Sequence, residues 1–322
     1  MDRNLAMDLV RVTETAALRA ARFMGLGDKI AADQAGVDGM RRMFDTIDID
    51  GIVVIGEGEM DEAPMLYIGE KVGIASPGSP KVDIAVDPVE GTVSVANGMP
   101  NAIAVVAMAP RGCLLHAPDM YMDKLAVGPK AAPHVHLDAP IRDNIRAAAD
   151  ALGKKLNDMS VAILERERHA GIIEECRSLG VRIKLFHNGD VDAALATCFE
   201  ETGVDMLLGI GGAPEGVIAA VGIKCMGGNF QGRLIPFEEE EEERCELMGI
   251  ECAKTLLLDD LVKGNEAYYA ATGISDGALL KGVTFSSGGI GRTYSVVMRS
   301  ETGTIRFVEA VHDFNKKPLY AY

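Results

Sequence analysis

Five stretches of the chain share one pattern: an apolar run ends abruptly in glycine or charged residues, and a segment of helical character follows. Short apolar runs rich in β-branched residues are typical of strands buried on both faces. Strands that alternate with helices predict an α/β protein, because the helices cover the faces of the sheet. The five stretches are GIVVIGEGEMDE (51–62), VDIAVDPVEGT (82–92), SVAILERERH (160–169), VRIKLFHNGD (181–190) and VDMLLGIGGAPEG (204–216).

Helices are expected before the first of these strands, and a hairpin is expected near the end of the sequence. Apolar residues recur at helical spacing up to Phe23, Gly25 and Gly27 then supply a stop, and a second helix should run from about Ile30 to Phe44. The stretch TYSVVMRSETGTIRFVEAV predicts an antiparallel hairpin that turns at Glu301 to Gly303. The first helix would bury Leu5, Leu9, Val12, Ala16 and Phe23.

The charge balance limits the classes of partner. Lys and Arg total 32 against 48 Asp and Glu, and the resulting net charge of −16 opposes binding to nucleic acid or to an anionic membrane. The first residues, with Asp2 and alternating polar turns, match neither a signal peptide nor a membrane span, so we expect a cytoplasmic protein. Six cysteines without a C-x-x-C pair predict reduced thiols, with Cys245 and Cys252 on one helix face.

Two of the predicted strands end in carboxylates. The carboxyl ends of strands face the ligand crevice of an open α/β sheet, so Glu57, Asp87 and Glu90 can share a site. Carboxylates gathered in this way repel each other, which indicates a bound cation, and ligands that are all oxygens favour Mg²⁺ or Mn²⁺. For either motif alone, a surface turn rich in Asp and Gly is the alternative explanation. Further candidates are Lys29 and Asp33 in GDKIAAD and Glu215 in GIGGAPEG.

Three other polar clusters have competing explanations. Arg166 and Arg168 could bind a phosphate bidentately, or they could pair with their own glutamates on a solvated surface. His134 and His136 alternate in PHVHLD, and an exposed strand face is favoured over a zinc site there. The six acids from Glu238 to Glu243 predict a solvated loop or the first turns of a helix.

Several motifs together resemble a known family. GDKIAAD, VVIGEGEMDEAPMLYIGE, DIAVDPVEGT, HAPDMYMDKL and GIGGAPEG look like the class II (GlpX-type) fructose-1,6-bisphosphatases, which belong to the lithium-sensitive, metal-dependent sugar and inositol phosphatases. The resemblance implies a layered α/β/α/β/α sugar-phosphatase fold with mixed sheets, either as a single unit over 1–322 or as two closely packed halves. The metal-site half would cover about 1–150, and the sugar-binding half about 151–322.

The same resemblance implies an activity. The enzyme would hydrolyse the 1-phosphate of fructose 1,6-bisphosphate in gluconeogenesis, with Mn²⁺ or Mg²⁺ as cofactor, and would form a homo-oligomer (dimer or tetramer). Phosphomonoester hydrolysis fits the residues independently, because divalent cations can neutralise the phosphate and stabilise the leaving alkoxide.

Roles for individual residues are also implied by the resemblance. Residues that position the attacking water would be Lys29, Asp61 and Thr92. Metal ligands would be Asp33, Glu57, Asp87, Glu90 and Glu215. Substrate contacts would be Glu90, Gly91, Thr92, Tyr121, Arg166, Glu167, Arg168, Asn188, Gly189, Asp190 and Gly212.

Two positions depart from the family pattern. Asn188 stands where Asp is frequent, and Val93 stands where Arg is often found. These changes bear on the choice among sugar phosphates, so sedoheptulose 1,7-bisphosphate and inositol phosphates are the alternative substrates.

Two unrelated functional classes fit the sequence less well. In a dinucleotide-binding oxidoreductase, the acids Glu57, Glu59 and Asp61 would repel the pyrophosphate. A calcium-binding regulatory protein would be expected to contain a D-x-D-x-D-G loop, which the sequence lacks.

Overall fold

Helices and strands are distributed along the whole of the described chain in the structure, a computed structural model that describes residues 4–58 and 63–317. The α-helices are α1 (Leu5–Ala20), α2 (Lys29–Phe44), α3 (Thr92–Asn97), α4 (Ile141–Leu152), α5 (Ala170–Ser178), α6 (Asp190–Ala196), α7 (Ala213–Met226), α8 (Glu239–Leu247) and α9 (Leu258–Leu261). The strands are β1 (Asp50–Ile55), β2 (Lys71–Val72), β3 (Lys81–Glu90), β4 (Ile103–Pro110), β5 (Tyr121–Val127), β6 (Ser160–Leu164), β7 (Arg182–Phe186), β8 (Met206–Gly212), β9 (Asn229–Ile235), β10 (Tyr268–Gly273), β11 (Thr284–Ser286), β12 (Ile290–Arg299) and β13 (Thr304–Asp313).

The chain divides into two compact units. The first contains the residues up to Leu114 together with those from Asn265 onward, and the second is the continuous segment Leu115–Gly264. Sequence analysis places a boundary near residue 150, which falls inside α4 of the second unit. The difference arises because the last four strands return to the sheet of the first unit.

The first unit contains a mixed sheet of eight strands. Their order is β11-β12-β10-β4-β3-β1-β2, and β13 pairs with β12. β1 and β3 run parallel, whereas β3 and β4 are antiparallel. The predicted hairpin is confirmed, since β12 and β13 pair from Ile290–Asp313 to Arg299–Thr304.

Helices α1 and α2 pack together in the core of the first unit. Leu9, Val12 and Ala16 of α1 are completely buried, as their helical spacing predicts. After α1, Gly25 adopts a φ of 73°, which ends helical geometry at little cost for glycine. Asp28 then caps α2 by accepting the Ala31 N–H at 2.9 Å.

The second unit contains a mixed sheet of five strands in the order β7-β6-β8-β5-β9. β6 runs parallel to β7 and β8, and β5 runs antiparallel to β8 and β9. A core that includes Ile145, Val161 and Met206 joins α4 to this sheet. The predicted α/β class with mixed sheets is confirmed in both units.

The segment around α8 confirms one expectation and corrects another. Glu239 to Glu242 form the first turn of α8, where acids favour the positive end of the helix dipole. Cys245 and Cys252 were expected to be reduced on one helix face, but they form a disulfide with Cα atoms 6.4 Å apart. The helix ends at Leu247 and Gly249 adopts a φ of 70°, so the chain turns back toward Cys245.

Among the residues that the structure describes, no helix combines the length and the apolar character needed to cross a membrane.

Candidate active site

In the first unit, predicted ligands lie at the carboxyl ends of two neighbouring parallel strands. Ile55 at the end of β1 pairs with Ala85 of β3, so Glu57 and Asp87 follow at the same edge of the sheet. The chain can leave β1 there only through Gly56, because a Cβ at this position would lie 1.9 Å from Leu66 O. Strand pairing therefore brings acids from two separate motifs to one edge.

Helix α2 brings a third acid to this edge. The Asp33 and Glu57 side chains are hydrogen-bonded to each other, so the pair holds a proton. Burial, together with the charge of Asp33, raises the pKa of Glu57 to about 8, and burial also raises the pKa of Asp33. Gly36, one turn beyond Asp33, allows α2 to lie close to β3, because a Cβ at Gly36 would lie 2.4 Å from Val89 Cγ2.

The turn between β3 and α3 holds the remaining predicted site residues of the first unit. Asp87 Oδ1 accepts the Val89 N–H at 3.0 Å, which fixes the carboxylate beside the sheet edge. Glu90 is buried, and Gly91 adopts a φ of 93°, a conformation that favours glycine. Gly91 is the N-cap of α3, and Thr92 is the first helical residue.

Lys29 and Asp61 are two of the residues predicted to position the attacking water. Lys29 is exposed at the first position of α2, four residues before Asp33. Asp61 lies outside the described residues.

In the second unit, an aromatic and cationic cluster forms at the start of β5. The Arg168 guanidinium lies 4.7 Å from the ring centroid of Tyr121, and Phe237 contacts the same ring edge-on with centroids 5.4 Å apart. Arg168 also donates to Ile210 O through Nη2 at 2.8 Å. Tyr121 is 40% exposed, so this cluster presents an aromatic hydroxyl and a cation at the surface of the unit.

Arg166 points to a different neighbour from Arg168. Its Nη2 donates to His187 O at 2.9 Å, directly before Asn188 and Gly189. Gly189 adopts a φ of 97° and is the N-cap of α6. Arg166 and Glu167 also line a groove of about 580 Å³.

Asp190, a predicted residue of the second unit, pairs with a buried lysine, and two more predicted residues lie at the start of α7. Asp190 Oδ2 accepts from Lys124 Nζ at 2.8 Å, and the Lys124 side chain is only 3% exposed. Gly212 is the N-cap of α7, and Glu215 lies in the first turn of that helix. Burial raises the pKa of Glu215, while the positive charge of Lys124 opposes the rise.

The predicted metal ligands are divided between the units. Asp33, Glu57, Asp87 and Glu90 belong to the first unit, and Glu215 belongs to the second. Within residues 4–58 and 63–317, no three His, Cys, Asp or Glu side chains form a group placed to hold a metal ion.

The donor set nevertheless fits a hard divalent cation. Every predicted ligand is a carboxylate, and oxygen donors suit Mg²⁺ and Mn²⁺. Glu215 Oε2 is buried and has no hydrogen-bond partner in the described part of the chain. A buried carboxylate oxygen of this kind is costly unless a cation or donor approaches it.

Sequence reasoning missed two residues of this region, Lys124 and His169. His169 is buried, its Nδ1 lies 2.6 Å from Leu164 O, and its Nε2 accepts the Ile210 N–H at 2.8 Å. The imidazole therefore joins the last residue of β6 to Ile210 of β8. A charged residue inside the apolar run of β5 was the available signal for Lys124, whereas nothing in the sequence distinguished His169 from a surface histidine.

Comparisons with known proteins give a consistent assignment. A sequence model of the family described as bacterial fructose-1,6-bisphosphatase, glpX-encoded, matches residues 3–312. Fructose-1,6-bisphosphatase 1 class 2 of Escherichia coli K12 and fructose-1,6-bisphosphatase class 2 of Shigella flexneri are each 46% identical over 330 residues, covering 98% of this chain and 97% of theirs.

Among solved structures, the extragenic suppressor protein suhB from Bartonella henselae aligns with a TM-score of 0.35 and 13% identity, over 61% of this chain and 74% of that one. This structural likeness adds nothing to the assignment, which depends on the sequence relatives. The chain therefore belongs to the family of bacterial, glpX-encoded class 2 fructose-1,6-bisphosphatases, which are metal-dependent phosphatases.

Proposed function

We propose that the protein hydrolyses the 1-phosphate of fructose 1,6-bisphosphate to fructose 6-phosphate and inorganic phosphate, as a cytoplasmic step of gluconeogenesis. The observation that carries the proposal is the hydrogen-bonded pair of Asp33 and Glu57 at the edge of the first unit's sheet where Asp87 also lies. Family membership supplies the substrate class, a sugar bisphosphate.

The carboxylates provide sites for divalent cations. Asp33, Glu57, Asp87, Glu90 and Glu215 would hold Mn²⁺ or Mg²⁺. When bound, such cations neutralise the phosphate dianion, make water a better nucleophile and stabilise the leaving alkoxide.

Three side chains of the first unit would act on the water and the reacting phosphate. Lys29, exposed at the start of α2, provides a positive charge for a phosphate oxygen. The Thr92 hydroxyl and the Asp61 carboxylate orient the water for in-line attack.

The second unit would recognise the sugar and the remote phosphate. Arg168, fixed by Tyr121 and Ile210 O, presents a preoriented guanidinium to the phosphate. Asp190, Asn188 and Gly212 provide hydrogen-bonding groups for the sugar, and Arg166 and Glu167 are proposed as further substrate contacts, with Arg166 Nη2 donating to His187 O beside Asn188.

Substitutions of Thr92 separate a catalytic hydroxyl from a structural one. Thr92→Val and Thr92→Ala should lower kcat on the order of a hundredfold, because the oriented hydroxyl is lost, whereas Thr92→Ser should retain substantial turnover. A capping role is disfavoured, because the N-cap of α3 is Gly91. Kinetics and melting temperature measured on the same preparations test this expectation.

The serine variant is the matched control for Thr92, since it keeps the hydroxyl and loses the methyl group. If Thr92→Val turned over like the wild type, the hydroxyl would have no catalytic part. Mn²⁺ affinity should be little changed in all three variants.

A substrate panel tests the proposed function itself. With Mn²⁺ present, phosphate release should be fastest from fructose 1,6-bisphosphate, ahead of sedoheptulose 1,7-bisphosphate and inositol 1-phosphate. The last two substrates represent the remaining alternatives, because Asn188 and Val93 depart from the family pattern. Preferred release from either one would replace the proposed substrate, and the same preparation analysed by sedimentation would test the proposed dimer or tetramer.

A further inference from the structure

Lys124 is a buried charged residue of β5. Met122 and Leu125 of the same strand are completely buried, whereas Asp123 before it pairs with Arg233. The Lys124 side chain is only 3% exposed. A buried ammonium group is costly unless it is paired, and here Nζ lies 2.8 Å from Asp190 Oδ2. The pair joins β5 to the first residue of α6.

The backbone around this pair leaves space for it. A Cβ on Gly211 would lie 1.7 Å from Asp190 Oδ2 and 2.9 Å from Lys124 Nζ. Any side chain at position 211 would therefore displace the carboxylate. The glycine at the end of β8 is required for the ion pair to form where it does.

The Lys124 side chain also lies beside the first turn of α7, which carries Glu215. A Cβ on Gly216, the next residue of that turn, would lie 3.5 Å from Lys124 Cε. A Cβ on Gly212 would lie 1.9 Å from Glu215 Oε2, so this carboxylate likewise occupies space that a glycine provides. The lysine that pairs with a predicted sugar contact thus also packs against the helix turn that carries a predicted metal ligand.

We propose that Lys124 is a positioning residue that fixes the Asp190 carboxylate for the sugar hydroxyls and supports the first turn of α7, which carries Glu215. The inference rests on the proposed function, because it assigns Asp190 and Glu215 their roles. Lys124 holds one oxygen of Asp190, which sets the direction of the other. Neutral hydroxyl groups of a sugar are natural donors to a carboxylate oriented in this way.

Lys224 provides a matched control for a purely structural ion pair. It lies on α7 of the same unit, its side chain is 10% exposed, and its Nζ lies 2.7 Å from Asp259 Oδ1. Lys224→Met removes an ion pair between a largely buried lysine and an exposed aspartate from a place with no proposed contact to sugar or cation.

The experiment compares Lys124→Met with Lys224→Met. Lys124→Met should raise KM for fructose 1,6-bisphosphate by about tenfold or more and weaken Mn²⁺ binding, measured by spin-resonance titration without substrate, by about tenfold. Lys224→Met should lower the melting temperature without changing either quantity. Identical KM and Mn²⁺ affinity in the two variants would overturn the inference.

A double variant tests whether Lys124 acts through Asp190. Lys124→Met combined with Asp190→Asn should have a KM no higher than Asp190→Asn alone, because both changes remove the same oriented carboxylate. Additive increases in KM would contradict a positioning role through Asp190.

A second variant keeps the inference testable if Lys124→Met does not fold. Gly211→Ala retains both charges but displaces Asp190, and should raise KM similarly, whereas Gly171→Ala on α5 has open space for its Cβ and should not. A wild-type KM in Gly211→Ala would count against the inference. If the wild type released no phosphate from the sugar bisphosphate, the proposed function would fail, and the Mn²⁺ titrations would still decide the role of Lys124 toward Glu215.

Discussion

Glu57→Gln and Asp87→Asn are each expected to lower phosphate release by more than about a hundredfold while the fold is retained. Each change is nearly isosteric and removes one negative charge from a proposed cation ligand. Asn at position 87 can still accept the Val89 N–H that Asp87 Oδ1 accepts at 3.0 Å, so the turn into α3 should survive. Steady-state phosphate release at saturating Mn²⁺, with circular dichroism of the same samples, measures both effects.

Asp83→Asn is the matched control for these variants. Asp83 is a completely buried acid on β3, and its Oδ2 accepts the N–H groups of Gly112 at 2.7 Å and Leu114 at 3.2 Å. The control should lower the melting temperature and keep normal turnover. Near wild-type turnover of Glu57→Gln or Asp87→Asn would remove that residue from the proposed centre.

Glu57→Gln should also stabilise the metal-free protein, most strongly at alkaline pH. The pKa of Glu57 is raised from 4.5 to about 8, so between these pH values the folded state retains a proton that the unfolded state has lost. The free energy of unfolding of the wild type therefore falls as pH rises through this window. In excess chelator, the melting temperature of the variant should exceed that of the wild type by more at pH 8 than at pH 5, and an equal difference would contradict this account.

Removal of divalent cations is expected to abolish activity, and added Mn²⁺ or Mg²⁺ should restore it. Without cations, the carboxylates of the first unit repel the phosphate dianion. Li⁺ should inhibit, as it does in the larger group of phosphatases that the sequence resembles. Phosphate release before chelation, after chelation and after addition of each cation measures the effect, and full activity in excess chelator would overturn the mechanism.

Cation binding should be accompanied by proton release near neutral pH. The hydrogen-bonded Asp33 and Glu57 pair holds a proton, and a cation bound by both carboxylates must displace it. Calorimetric titrations in two buffers of different ionisation enthalpy should therefore report about one proton fewer for Glu57→Gln than for the wild type. Equal proton release would argue that the pair does not bind the cation.

The strands that carry the predicted ligands could be read from the sequence because each ends in a clear signal. β3 ends in Glu90 and Gly91, and the predicted start of a helix or turn near Thr92 is confirmed by α3. β4 and β10 gave no such signal. Every residue of β10 is buried and all but the last of β4 are, so their apolar runs have no period that separates a strand from a helix.

Other features depend on contacts between distant segments and were beyond a local reading. Lys124 pairs with Asp190, which lies 66 residues later in the sequence. Sequence analysis treats Arg166 and Arg168 as one cluster. In the structure, Arg166 donates to His187 O, whereas the Arg168 guanidinium lies over the Tyr121 ring. The disulfide between Cys245 and Cys252 depends on where α8 ends, which the run of acids does not specify.

The path of the chain between the two units sets a constraint on biosynthesis. β4 and β10 are adjacent in the finished sheet, yet the whole second unit separates them along the chain. While the ribosome is still adding that segment, the edge of β4 that will pair with β10 has no strand partner. Bringing β10 to this edge across an unfolded loop carries an entropic cost. Within the second unit, Leu115 N–H donates to Leu261 O at 2.9 Å, so once this segment folds, its two ends are held side by side. Folding of the inserted segment thus converts a long-range closure into a short one, and so lowers the entropic cost of pairing β10 with β4.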